Sequence, residues 1–143
     1  MIIRKASFHF SPLNFLELRP FPENVDEHPF SALHVDGKLT SLADIRSRTG
    51  KAQTNGLMDS VISDFLETDP SLSRAIEEAT ENFQSLIDDM GDGLFSMKES
   101  DLAAHLQSDY VNFYSAATVN PYVAIAARGP WLVTSHGAVL HDN

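Results

Sequence analysis

Cysteine is absent from this chain, and with it every disulfide, thiolate nucleophile and zinc–thiolate centre. That absence fits a reducing compartment. Long hydrophobic runs are missing too. Nothing approaches the ~20 apolar residues of a membrane-spanning helix, and Met1-Ile2-Ile3 runs straight into Arg4 and Lys5 with no apolar stretch of signal-peptide length. The expectation is a cytoplasmic protein with no membrane role. Basic side chains are scarce, 10 against 20 acidic ones, for a formal charge of −10. A field of that sign repels phosphate backbones and anionic lipid, which argues against nucleic-acid or membrane-surface partners.

What is present is ordinary globular material. The chain has 143 residues, 43% hydrophobic and 21% charged, enough for one domain with a core. Residues 1–30 are the least regular. Ala6, Phe8 and Phe10 alternate with polar neighbours as a short strand would, and Pro12, Pro20, Pro22 and Pro29 then interrupt any long element. Their many Phe and Leu side chains predict an extended apolar arm lying over another surface. Residues 31–128 read as a helical region. At its start, Ala32 to Thr40 around Asp36-Gly37 predict a small β-hairpin. Ser41 with Asp44 then predicts a short helix ending near Gly50, and residues 50–56 a mobile connector.

The firmest pattern is helical. Leu57, Met58, Val61, Ile62, Phe65 and Leu66 share one helical face. Asp69-Pro70 closes that segment and opens the next, with Asp69 as N-cap and Pro70 at the first helical position. Leu72, Ala75, Ile76, Ala79, Phe83, Leu86, Ile87 and Met90 form a single stripe that Gly91 ends, so the pair predicts a helical hairpin. Ser96 and Glu99 suggest a capping box before a further helix through Leu102, Ala103, Leu106 and Tyr110. Pro121 opens a segment to Arg128, and residues 129–143 predict a β-ribbon turning at Ser135-His136-Gly137. The fold class is therefore α+β: a mainly helical body, a short N-terminal hairpin and a C-terminal ribbon. A lone ribbon is marginal in water, so it must lean on the body or open something longer.

Chemistry is thinly marked. Asp88 to Glu99 matches an EF-hand calcium loop at Asp88, Asp92 and Glu99, with Gly93 at the turn, but Met90 occupies a position where a hard oxygen ligand is required. The plain reading is an acidic turn between helices, and a calcium-responsive module is the alternative. None of the six histidines has the helical spacing of a zinc site. Ser135-His136 sets a hydroxyl beside an imidazole, but sequence neighbours seldom form a triad and no G-x-S-x-G elbow exists. Tyr114, Asn120, Tyr122 and Trp131 are candidates for a substrate-pocket wall, with core packing as the competing explanation. No catalytic residue is assigned.

The C-terminal stretch resembles the class III aminotransferases, which depend on pyridoxal 5'-phosphate (PLP). Gly129, Trp131-Leu132, Gly137 and Asp142 fall at the offsets of the ribbon through which that family enters its main fold, with Leu140 at its usual tyrosine position. Thr134 and His136 depart from the acidic turn residues common there, and His141 replaces an aliphatic one. The match covers about fifteen residues, and the 128 before them exceed the family's usual lead-in. The resemblance implies the N-terminal portion of a PLP-dependent aminotransferase, homodimeric and joined to the remainder of the PLP domain. It further implies that the cofactor-binding lysine, aspartate and phosphate-binding residues lie further along, so none falls on Lys5, Lys38, Lys51 or Lys98. This segment alone would bind no cofactor and catalyse nothing. A helical interaction domain using the apolar arm is a further alternative.

Overall fold

The computed structural model describes residues 28–108 and 120–142, with side chains from Leu33 onward in the first helix. The elements run α1 (His28–Ser47), α2 (Asp59–Leu66), α3 (Pro70–Met90), α4 (Asp92–Phe95), α5 (Glu99–Gln107), β1 (Ala124–Arg128), β2 (Trp131–Thr134) and β3 (Val139–His141). The fold is α+β, as expected, and α3 is its spine. Asp69 caps α3 by accepting the Ser71 amide at 2.8 Å, Pro70 takes the first helical turn, and Gly91 ends the helix at φ +85°. Its stripe of Leu72, Ala75, Ile76, Ala79, Phe83 and Ile87 is buried, whereas Leu86 is only partly covered and Met90 is exposed. One flank of α3 meets α1 and another meets β1 and β2. No helix among the described residues is long and apolar enough to cross a membrane.

The predicted hairpin at residues 32–40 does not form. Those residues are helical within α1, and the expected short helix from Ser41 is only its last part. Asp36-Gly37 is a strong local turn signal, but Val35, Leu39, Leu42 and Ile45 recur at helical spacing and pack into the core. Burying such a side chain stabilises by about 1.5–3 kcal/mol, against about 1 kcal/mol for a glycine inside a helix. The stripe prevails. α1 is tied to α3 by His34 Nε2 with Ser73 Oγ at 2.9 Å and by the Lys38–Glu77 ion pair. Because α1 starts at His28, residues 28–30 belong to a helix rather than to an extended arm. The arm's other residues and the candidate strand at Ala6–Phe10 lie outside the described residues, as do Tyr110 and Tyr114.

The C-terminal ribbon has three strands rather than two. The antiparallel order is β1-β2-β3, with Ala127 opposite Leu132, Leu132 opposite Leu140, and a bulge between Ala124 and Ala126. The boundary expected between residues 128 and 129 therefore cuts through the sheet. Gly129 opens the first reversal at φ +55°. At the second, Gly137 takes φ +74°, and its amide donates to the Thr134 carbonyl at 3.0 Å. Glycine at a left-handed position is the usual close of a three-residue hairpin loop. Phe65 of α2, partly exposed, sets its ring edge-on to Trp131 at 5.0 Å and stacks with His141 at 6.1 Å.

Two alanine substitutions should separate helix from hairpin. Around Gly37 a Cβ meets nothing within 4 Å, so Gly37→Ala should stabilise the protein by about 0.5–1 kcal/mol. At Gly137 a Cβ would come within 2.7 Å of Arg46 Cγ on a backbone that side chains rarely adopt, so Gly137→Ala should destabilise by about 1–3 kcal/mol. Urea unfolding of both variants measures the difference, and a loss of stability in Gly37→Ala would contradict the helix.

Candidate functional site

Most of the buried polar groups gather where the second turn of the sheet meets the connector between α1 and α2. Thr134, Ser135 and His136 are all essentially inaccessible, and so is Glu99. The turn sits beneath the end of α1, where Arg46 Nε donates to the Gly137 carbonyl at 3.0 Å. The same guanidinium donates through one nitrogen to both oxygens of Asp59, at 2.8 and 3.0 Å, in the first turn of α2. One arginine thus joins α1, α2 and the sheet. A cavity of about 490 Å³ opens beside it, lined by Arg46, Thr54, Asn55, Asp59, His136 and Gly137 among others.

His136 has both ring nitrogens engaged. Nε2 lies 3.0 Å from the Met97 carbonyl and Nδ1 3.1 Å from Ser135 Oγ. A carbonyl only accepts, so Nε2 carries a proton, and in the neutral ring Nδ1 is left to accept from the hydroxyl. Sequence neighbours have made a serine–histidine contact after all. It is nevertheless not built as a nucleophile: Ser135 is wholly buried, and the group orienting the imidazole is a carbonyl rather than a carboxylate. The pair holds the turn against the α4–α5 junction.

Glu99 does a comparable job on the other side. Its Oε2 accepts from the amides of Gln53 at 2.8 Å and Thr54 at 2.7 Å, while its own amide donates to the Lys51 carbonyl at 3.1 Å. Gln53 Oε1 in turn accepts from the Ser100 amide, also at 3.1 Å. The expected mobile connector is therefore strapped down along its length. Gly50 donates to the Phe95 carbonyl and Leu57 to that of Val139, the latter along the outer edge of β3. The expected Ser96–Glu99 capping box is not made, since Ser96 Oγ turns back to the Gly93 carbonyl and Lys98 holds the N-cap position.

That geometry decides how Asp88, Asp92 and Glu99 relate. Asp88 is exposed and accepts from Gln84 at 2.8 Å, Asp92 faces Arg48 at 3.4 Å, and Glu99 is buried against the connector. A short helix, α4, fills the middle of the would-be loop. Among the described residues no group of three or more metal-ligating side chains is gathered anywhere.

The candidate pocket-wall residues part company as well. Trp131 is 1% exposed, and its indole Nε1 donates to Asp69 Oδ2 at 2.7 Å, so it serves the core and the cap of α3 together. Tyr122 is half-buried and Asn120 exposed, while Tyr114 lies outside the described residues. Of the described lysines, Lys38 is paired with Glu77, and Lys51 and Lys98 are exposed on the connector and at the N-cap of α5. Sequence reasoning did not find the Glu99 strap, because its partners lie some 46 residues away.

Comparison with protein-family models, with curated proteins and with solved structures found no match.

The Trp131 hydrogen bond, followed by that of the Ser71 amide, holds the Asp69 carboxyl below its ordinary value of 3.8. The Lys38 hydrogen bond likewise lowers Glu77 below 4.5. A carboxyl lowered in the folded state contributes stability above its unfolded value and loses it as pH falls through the folded one. Stability should therefore decline as pH drops below about 4. Asp69→Asn removes the charge and leaves one oxygen for two donors that now use separate oxygens, so it should lower stability near neutral pH and shallow that decline. Urea midpoints followed by Trp131 fluorescence across the acid range test this, and an unaltered slope would remove Asp69 from the account.

Proposed function

We propose that this chain is the N-terminal portion of a PLP-dependent class III aminotransferase, one that leads into the main fold and contributes dimer contacts without being catalytic alone. The observation that carries the reading is the ribbon. The residues behind the resemblance occupy backbone roles that such a motif demands: Gly129 and Gly137 at the left-handed reversals, Trp131-Leu132 in β2, and Asp142 directly after β3. Asp142 also closes the hairpin, its amide donating to the Pro130 carbonyl at 2.8 Å.

The polar groups described above support a framework role. Arg46, His136 and Ser135 are spent on positioning backbone and neighbouring elements. PLP supplies an electron sink for moving an amino group between an amine and a keto acid. In this reading the residues that hold it lie outside the segment. A homodimer in the cytoplasm is the setting proposed. The calcium alternative draws no support from Glu99, whose carboxylate is turned to the Gln53 and Thr54 amides.

The test is to read the coding sequence past Asn143 and purify the protein it specifies. The expected product is yellow from bound PLP, bleaches on adding an amino donor and recovers on adding a keto acid. The 143-residue chain alone should stay colourless, with no borohydride-trapped pyridoxyl group on any lysine. A stop codon directly after Asn143, or a longer protein that retains no PLP, would sink the proposal.

A further inference from the structure

The Glu99 carboxylate is used on one side only. Oε2 carries both amide hydrogen bonds, whereas Oε1 is buried with no partner among the described residues. A second buried oxygen, Thr54 Oγ1, is in the same condition. The two belong to one locale, because the Thr54 amide is itself bonded to the Glu99 carboxylate at 2.7 Å. None of the ion pairs among the described residues involves Glu99, although its side chain is fully buried.

A buried carboxylate is costly unless it is both hydrogen-bonded and compensated in charge. Two amide donors meet the first requirement at one oxygen, and the first turn of α5 favours the charge, but no cationic side chain among the described residues pairs with it. We infer that Glu99 Oε1 and Thr54 Oγ1 are the protein's ligands in a buried site for one small monovalent cation, such as sodium or potassium. The donors are hard oxygens, which suit such ions. One carboxylate balances a single positive charge, whereas calcium's tight sites use several carboxylates. The chain's formal charge of −10 raises the local concentration of any cation. This inference stands apart from the aminotransferase reading, since it concerns only how the connector is held to α5. A water molecule would bring protons to the same oxygens but no charge, and the experiment separates the two.

Thermal unfolding of the 143-residue chain can be followed through Trp131, its single tryptophan, in sodium, potassium and tetramethylammonium chloride at equal ionic strength. The midpoint should rise saturably with sodium or potassium and stay lower in tetramethylammonium, which is too large for a buried site. Glu99→Gln keeps an acceptor for the two amides and brings an N–H to the Oε1 position, so the distinction between salts should vanish. Thr54→Val keeps the carboxylate and should move saturation to about tenfold higher cation concentration, the effect of one lost ligand. Broadening of the sodium NMR line by the parent protein but not by Glu99→Gln would locate the ion directly. Equal midpoints in all three salts would mean that no cation binds and would overturn the inference. A salt preference that survives Glu99→Gln would overturn it too, by assigning the effect to counterions on the acidic surface. Should Glu99→Gln fail to fold, an unchanged saturation point in Thr54→Val would do the same.

Discussion

Everything described here depends on α3 having apolar surface to offer in two directions. Its stripe runs from Leu72 to Ile87, and the residues flanking it meet α1 on one side and the sheet on the other. The sheet needs that support. Its strands contribute five, four and three residues, and a ribbon of such size is marginal in water by itself. Trp131, Val133 and Val139 supply its buried face, and each such side chain contributes about 1.5–3 kcal/mol when covered. The cap of α3 and the anchor of the sheet are moreover one group, because Asp69 binds the Ser71 amide with one oxygen and the Trp131 indole with the other.

Parts of this arrangement are legible in the sequence because they are local. Asp69-Pro70 and Gly91 bracket α3 with residues whose cap preferences act within a turn, and Gly137 closes a hairpin for a similar reason. What local chemistry misjudges is decided by contacts from afar. Asp36-Gly37 is a turn signal that α3 overrides by burying Val35 and Leu42. β1 is unremarkable as Ala-Ile-Ala-Ala-Arg, with a single β-branched residue, and becomes a strand by pairing with β2. On its other side Asn82 donates to the Ile125 carbonyl at 2.7 Å, so α3 reaches across to that strand's backbone as well.

The site teaches the same lesson in polar form. Ser96-x-x-Glu99 has the letters of a capping box, yet Glu99 serves amides in the connector, and only the fold brings Gln53 and Thr54 to it. Ser135-His136 has the letters of a weak catalytic pair, and it is the burial of both residues that makes it a brace. Residue type and spacing named the right side chains in each case. Their tasks are set by what packs around them.

The braces also account for why the polar groups near this turn serve structure first. A catalytic group needs a free lone pair or proton facing a space that substrate can enter. Here the Arg46 guanidinium is divided between Gly137 and Asp59, and His136 has both nitrogens occupied. On the side of Arg46 and His136 the cavity is therefore walled by groups already committed to holding α1, α2 and the sheet in register. Such a wall resists rearrangement, since moving one member strands the others without partners in a buried setting. A braced corner at the start of β3 fixes the direction of the backbone at Asp142, whose amide is held by the Pro130 carbonyl, and a fixed direction there is what the proposed reading asks of the ribbon.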